Sequence, residues 1–399
     1  MINDQLEIRS IANRAELESV YDILGNAFSV GRDFFQMRLD HDSAYDSSTT
    51  WITLQQEAIA STIQVFPFDI RVEDAEVKVG GIGSVATVPE YQGKGYCKQM
   101  LHRLTEWMEQ QEYDLSLLFA IITPFYEKSG WSTFPQTLYE LNKANITVNS
   151  SSNYDIRPFD PTHMDDISNI YKQFNETRTC TVIRPAAHWN DRLQWPKWKA
   201  STCFLAIRNG VTVAYGHISE QTEDGAAYLE ELGYLKGEES AVIPLFHALV
   251  EQRPEVNRIL AYLPEDHHLT EKLTSWGAEK KTKRYMMWKI IRLQPLLAKL
   301  AALLQKRLQN NKAYAGKSLQ IRLDCAGQEA YIHYLDGQIS IEADPRQGIE
   351  YSKITLTQEE LTILLFQGCD NSNPEALHDP VLGALFPKQN PVFYNLDRF

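Results

Sequence analysis

Residues 92–97, Gln-Gly-Lys-Gly-Tyr-Cys, form the stretch of this 399-residue chain best suited to hold a phosphorylated ligand. Before them, Ile82 to Val88 read as a strand that meets Pro89. After them, Met100, Leu101, Leu104, Trp107 and Met108 fall on one face of a helix. A glycine-rich turn between strand and helix leaves free backbone N–H groups and the positive end of a helix dipole aimed at one place. That arrangement suits a pyrophosphate, and Lys94 adds a cation. Gly93 and Gly95 would serve a tight loop without a ligand equally well. The third glycine of a dinucleotide fold is missing and the full Walker pattern is absent, so neither of those nucleotide folds is indicated.

A second apolar run, Leu115 to Ile122, leads into Pro124-Phe125-Tyr126-Glu127-Lys128-Ser129-Gly130-Trp131. The order VATVPEYQGKGYC, helix, buried strand, FYEKSGW resembles the GCN5-related N-acetyltransferase (GNAT) family over roughly residues 50–135. The resemblance implies that Gln92, Gly93, Lys94, Gly95, Tyr96 and Cys97 hold the pyrophosphate of acetyl-coenzyme A. Cys97 stands where the family has glycine or alanine, which alters how closely the phosphates approach. It also implies that the flanking strands splay, with the pantetheine arm pairing with the backbone of Val85, Ala86, Thr87 and Val88 and with Ile121 on the facing wall. Tyr126 matches the family's position for protonating the departing thiolate. A phenol of pKa ~10 is a reasonable acid for a thiol of pKa ~8.5. The other reading of Tyr126 is an aromatic packed between Phe125 and Trp131.

The length argues for two or three domains, and an apolar share of 43% supplies their cores. The net charge of −13 and the absence of a dense basic stretch argue against nucleic acid; an acidic protein attracts cations, although solvated surface charge gives the same number. Five scattered cysteines without a CxxC pair suit a reduced, cytoplasmic protein, and nothing in the composition points to a metal. No run approaches the ~20 apolar residues of a membrane span, so no membrane is expected.

Leu17, Val20, Tyr21, Leu24 and Phe28 predict a helix that Phe28 to Phe35 interrupts; Asp33 and Phe34 are candidates for the acceptor wall, or residues of a surface loop. Trp51 to Gln55 and Ala58 to Phe66 predict a hairpin, with further strand over Phe68 to Val72. Residues 144–153 read as a polar linker, after which the element order repeats. Cys203 to Arg208 and Val211 to Ser219 flank the hairpin signal Asn209-Gly210, and the repeat ends in a helix closing at Trp276-Gly277. Where the first copy has Gln92 to Gly95, the second has Leu235-Lys236-Gly237-Glu238-Glu239, whose carboxylates repel a phosphate from the helix start. Thr270 stands where Tyr126 would be. The second copy is expected to bind no coenzyme.

From Leu293 to Leu308 the leucines predict one amphipathic helix, with Lys299, Lys306 and Arg307 on its other face. Core packing of a third domain and membrane-surface binding are its two readings. Asp336-Gly337 predicts a hairpin, and Thr357 with Glu360 a capping box.

This architecture, α/β (α+β), resembles the Eis (enhanced intracellular survival) group of GNAT proteins over essentially the whole chain. The expected division is 1–148, a catalytic GNAT domain; 149–291, a degenerate GNAT-like copy; and 292–399, a unit resembling a sterol carrier protein. The resemblance implies acetylation of amines on cationic, aminoglycoside-like molecules and a homo-oligomer, hexameric in that group. Protein lysine and polyamines are alternative acceptors, and a non-catalytic acetyl-coenzyme A or lipid-binding regulator is the reading from another class. Between Val77 and Pro89 there is no carboxylate to serve as base. In the Eis group the α-carboxylate of the last residue takes that place, which assigns the role to Phe399; Asp397 is a candidate ammonium anchor. The alternative for Arg398-Phe399 is a frayed tail.

Overall fold

The computed structural model describes residues 6–147, 153–195, 197–222, 224–370 and 377–399. The middle of the expected linker, 148–152, and with it the boundary at 148/149, lie outside the described residues.

The first unit runs β1 (Leu6–Ser10), α1 (Arg14–Ala27), α2 (Arg32–Asp40), β2 (Thr50–Gln55), β3 (Ala58–Val72), β4 (Ala75–Thr87), α3 (Tyr96–Gln110), β5 (Leu115–Phe119), α4 (Thr123–Glu127) and β6 (Ser132–Asn142). The second runs β7 (Asp155–Pro158), α5 (Met164–Asn175), β8 (Thr179–Ile183), α6 (Ala186–Arg192), β9 (Cys203–Arg208), β10 (Val211–Ile218), β11 (Ala226–Tyr234), α7 (Val242–Glu251), β12 (Arg258–Ala261), α8 (His268–Ser275) and β13 (Glu279–Ile290). The third holds α9 (Leu293–Lys299), α10 (Ala301–Asn310), β14 (Leu319–Cys325), β15 (Gln328–Leu335), β16 (Gln338–Glu342), β17 (Ser352–Leu356), α11 (Gln358–Phe366) and α12 (Pro380–Leu385).

The first two units share one sheet of thirteen strands, in the order β1-β2-β3-β4-β5-β13-β6-β12-β11-β10-β9-β7, with β8 paired to β3. They share it by exchanging strands. β13 of the second copy lies against β5 of the first (Trp288↔Leu117), while β6 of the first lies against β12 of the second (Leu141↔Ile259). Neither copy closes its sheet alone, so the two fold as one body.

β3 continues through Pro67, where the sequence predicts a break. Proline lacks an N–H, which matters only where a neighbour needs it. On one side of Pro67, β2 has ended at Thr50↔Gln64 and β8 begins only at Asp69↔Ile183, so the missing donor faces a gap.

Helices α1 and α2 cover one face of this sheet with Leu17, Val20, Leu24, Phe35 and Leu39, against Ile52, Leu54 and Ala86. α3 covers the other with Met100, Leu101, Leu104 and Met108, against Ile63, Val65 and Ile82. The helix expected over Leu293 to Leu308 is two helices meeting at Leu300, with their leucines in the core. Its cationic face docks the third unit on the first: Lys299 Nζ lies 2.5 Å from Asp114 Oδ2, and Arg307 Nη2 lies 2.7 Å from Glu73 Oε1. Beyond it is a four-stranded sheet, order β16-β15-β14-β17, and the Thr357/Glu360 capping box opens α11.

Candidate functional site

The turn before α3 has the shape its glycines allow. Gly93 and Gly95 have φ of 76° and 79°, a region that side chains disfavour, and a Cβ on either would meet nothing within 4 Å. Gly95 is the N-cap of α3 and no side chain caps the helix. The first-turn N–H groups therefore face open space with the helix dipole behind them, which fits an anion. Gln92 Nε2 donates to the Thr87 carbonyl at 3.2 Å, tying the turn back to β4, and Lys94 Nζ lies 4.8 Å from the Tyr91 ring. Tyr96 reaches across to the Gln55 side chain.

β4 and β5 run parallel from Val79↔Leu115 to Ile82↔Leu118 and then part. A bulge forces the parting: on β3 the pairing steps from Gln64↔Gly83 to Thr62↔Ala86, and Ser84 takes φ of 50° to absorb the extra residue. Beyond Ile82 the edge of β4 that faced β5 has no strand partner among the described residues, so Val85, Thr87 and Val88 border an open slot; the Ala86 side chain turns away into the α1/α2 core. On the other side of the slot Ile121 is 87% exposed. An unpaired strand edge facing an apolar wall suits an amide-bearing, largely aliphatic arm. Turn and slot together fit acetyl-coenzyme A.

Tyr126 is on the short helix α4, half-buried, with Phe125 edge-on at 5.0 Å. Its hydroxyl donates to no described residue. Burial, with the neighbouring Cys97 adding to it, pushes its pKa up to about 12, and burial pushes the Cys97 thiol up to about 12 as well. The phenol stays protonated through the physiological range. A coenzyme thiolate released beside them would be raised by the same desolvation, so the match between phenol and thiol is kept. The loop that carries Tyr126 is pinned by Lys289 of β13, whose Nζ donates to the Ser129 carbonyl at 2.8 Å and to Thr105 Oγ1 at 3.1 Å. Burial lowers that ammonium to about 8.

The chain end lies against the same strand. The Phe399 ring sits on β4 where a Cβ on Gly81 would overlap it, and a Cβ on Gly83 would lie 3.1 Å from its Cδ2. Phe66, Phe68 and Phe119 surround it with centroids 5.1, 5.7 and 5.8 Å away. Arg38 Nη2 donates to the Arg398 carbonyl at 3.3 Å, and the Arg398 guanidinium stacks on Phe119 and Tyr262. Phe399 thus closes one end of a cavity of about 310 Å³ whose walls include Arg38, Asp42, Phe66, Asp191, Arg192 and Trp195.

The structure does not bring the other acceptor candidates to this cavity in usable form. Asp33 is exposed on the first turn of α2, and Phe34 packs edge-on against Phe35 at 5.3 Å; neither lines the cavity. Asp397 lines it, but its carboxylate is 1% exposed and accepts from Arg184 at 2.8 Å on both oxygens, so its charge is already paired. Sequence reasoning overlooked Asp42, Asp191 and the seat of Phe399. The signal for the seat was present in the glycines of the Gly-Gly-Ile-Gly run, since glycine inside a strand marks close approach by another group.

Residues 7–134 match the family model described as an acetyltransferase (GNAT) domain. None of the curated proteins compared matches the chain. Among solved structures, a conserved protein of unknown function from Enterococcus faecalis V583, a probable N-acyltransferase, superposes with a TM-score of 0.74 at 17% identity, covering 99% of this chain and 100% of that one. A GCN5-related N-acetyltransferase from Anabaena variabilis ATCC 29413 gives 0.73 at 14% identity, with 99% and 100% covered. Eis1 from Mycobacterium abscessus gives 0.64 at 12%, with 98% and 99% covered. At these identities the likeness is one of fold, and it extends through all three units. With the turn, the slot and the phenol all inside the matched segment, residues 7–134 of this chain are a GNAT acetyltransferase domain.

Proposed function

We propose that the protein transfers an acetyl group from acetyl-coenzyme A to an amine of a small cationic molecule by direct attack, with Phe399 as base and Tyr126 as acid. The observation that carries this reading is the Phe399 ring seated on Gly81 and Gly83, at the point where β4 and β5 part. Bound acetyl-coenzyme A supplies the activated acetyl thioester. Gln92 to Cys97 hold its pyrophosphate, and Val85 to Val88 and Ile121 orient its arm. The terminal carboxylate takes a proton from the attacking amine, which must lose one to become an amide. Tyr126 donates a hydrogen bond, and then its proton, to the departing sulfur.

The acceptor enters through the cavity beside Phe399. Its concave, partly aromatic walls suit a small molecule better than a protein surface. Asp42, Asp69 and Asp191 line it beside the paired Asp397; burial, foremost, holds Asp42 and Asp69 above the usual carboxylate range, and an ammonium beside them would favour their charged forms. With the net charge of −13 this supports a polyamine or aminosugar, the aminoglycoside-like form being what the Eis resemblance suggests. Attraction of this kind is screened by salt, so kcat/KM for cationic amines falls as ionic strength rises.

The test is a few residues appended after Phe399, assayed by thiol release against a panel of amines. Fold and acetyl-coenzyme A binding are retained and most of the turnover is lost. Equal activity with and without the extension overturns the assignment of the base.

A further inference from the structure

On its way to the first copy the end of the chain is strapped across the second. Val392 N donates to the Thr179 carbonyl at 3.1 Å, Tyr394 Oη to Asn175 Oδ1 at 3.1 Å, and Asn395 Nδ2 to Glu230 Oε1 at 3.2 Å. The strap then makes one turn over Asn395–Asp397 and presents Asp397 to Arg184. Arg184 donates to both oxygens of Asp397 at 2.8 Å and to both of Glu231 on β11, one of them at 3.0 Å. The side chains of Arg184, Glu231 and Asp397 are 2%, 1% and 1% exposed. Tyr215 donates to Glu231 as well, Arg184 lies over the rings of Tyr171 and Trp189 at 3.9 and 4.8 Å, and Arg192 stands 3.9 Å from Asp397. Two guanidinium groups thus balance two carboxylates in a buried site.

A buried ion cluster of this kind adds little net stability over apolar packing, but it tolerates one geometry. Burial alone would drive the Arg184 charge out; Asp397 and Glu231 more than reverse that. Removing the partner on the strap leaves a buried cation short of charge, so the strap cannot slide without breaking the cluster. Only Arg398 separates Asp397 from the terminal residue, so fixing one fixes the reach of the other. The position of Glu231 bears on this: it follows the bulge of β11, the strand of the second copy that pairs in parallel with β12 as β4 does with β5. The first copy has no carboxylate on its corresponding strand between Val77 and Pro89.

We infer that Arg184, Glu231 and Asp397 form a positioning clamp: the second copy, which lacks the phosphate turn, uses a strand carboxylate to hold the tail that delivers a carboxylate to the first. The catalytic part of this inference rests on the reading of Phe399 as base; the mechanical part does not. The test uses full-length Asp397→Asn and Glu231→Gln proteins exposed to a carboxypeptidase that removes terminal phenylalanine, with release followed by mass spectrometry. Losing one partner of a buried ion pair is expected to raise local opening and release by ~10-fold or more. kcat falls with it, while acetyl-coenzyme A affinity is unchanged. In a chain lacking Phe399 the same substitution lowers kcat by less than ~2-fold, because the two act through one group. Wild-type release rates from these variants overturn the clamp, and so does an equal loss of kcat with and without Phe399. Should both variants fail to fold, Asn395→Ala, on the same strap, gives the same readout. If the chain lacking Phe399 turns over like the intact protein, the assignment of the base falls, while the release rates still decide the clamp.

Discussion

In the first copy β4 and β5 pair over Val79↔Leu115 to Ile82↔Leu118 and then part; in the second, β11 and β12 pair over Ala226↔Arg258 to Leu229↔Ala261 and part likewise. Each parting strand bulges, near Ser84 and near Glu230. The slot of the first copy is open. That of the second is filled by His267, 1% exposed, between the rings of Phe174 and Tyr234. Its Nδ1 accepts from Leu269 N at 3.0 Å, so Nε2 carries the proton and donates to the Leu232 carbonyl at 3.2 Å, a backbone group bordering the slot. The turns differ in the same sense. A Cβ on Gly93 or Gly95 would meet no described residue within 4 Å, whereas Gly237 N donates to Glu239 Oε1 at 3.1 Å and Glu238 takes Tyr154 and Arg208. The second copy has internalised the groups that the first leaves free, and a backbone slot alone therefore says little about ligand binding.

The comparison can be broken most forcefully at the acid. Tyr126→Phe is expected to lower kcat by ~10²–10⁴-fold with acetyl-coenzyme A affinity nearly unchanged, whereas Thr270→Val, at the matching place, leaves kcat alone. Steady-state kinetics of the two variants decide this, and near-normal turnover in Tyr126→Phe returns that residue to packing. Since burial holds Tyr126 at about 12, its ionisation should add no fall in kcat between pH 8 and pH 10.5.

Gly81→Ala comes next. The added methyl overlaps the Phe399 ring, so the tail shifts and kcat drops by up to ~10²-fold, as for other ångström-scale displacements of a catalytic group. Coenzyme binding should persist, since Gly81 lies before the strands part. Melting temperature measured beside the kinetics separates a seat for the tail from general strand damage.

The smallest effect concerns the filled slot. Burial holds His267 neutral down to about 3, far below its ordinary value. The unfolded chain therefore binds a proton that the native protein refuses from about pH 6.5 downward, and stability falls on acidification through that window. Against the wild type, His267→Gln should flatten the fall in melting temperature between pH 6.5 and 4, a contribution on the order of 1–3 kcal/mol. It should not create a second coenzyme site, because Glu238 and Glu239 still close the turn. An unchanged pH dependence would mean that other groups govern the acid limb.

What the sequence made legible is what local chemistry decides. The glycine turn and α3 follow from residues within a few positions of one another. The hairpins at Asn209-Gly210 and Asp336-Gly337 adopt the positive φ values those residue types favour, and the Thr357/Glu360 box forms as read. What stayed hidden is long-range. The exchange of β6 and β13 depends on pairing between strands far apart in the chain, and an apolar strand reads the same whichever neighbour it has. Asp397 read as a candidate ammonium anchor because its partners, Arg184 and Glu231, are 213 and 166 positions away. Pro67 read as a break because only the sheet shows that its missing donor faces a gap.

Calorimetric titration of the full-length protein with acetyl-coenzyme A, alongside Gly95→Val, tests the central claim most directly. The account predicts one site per chain in the intact protein and none in the variant, whose branched side chain cannot adopt the turn's φ of 79°. Two comparable sites in the intact chain, or one site surviving in Gly95→Val, would contradict it.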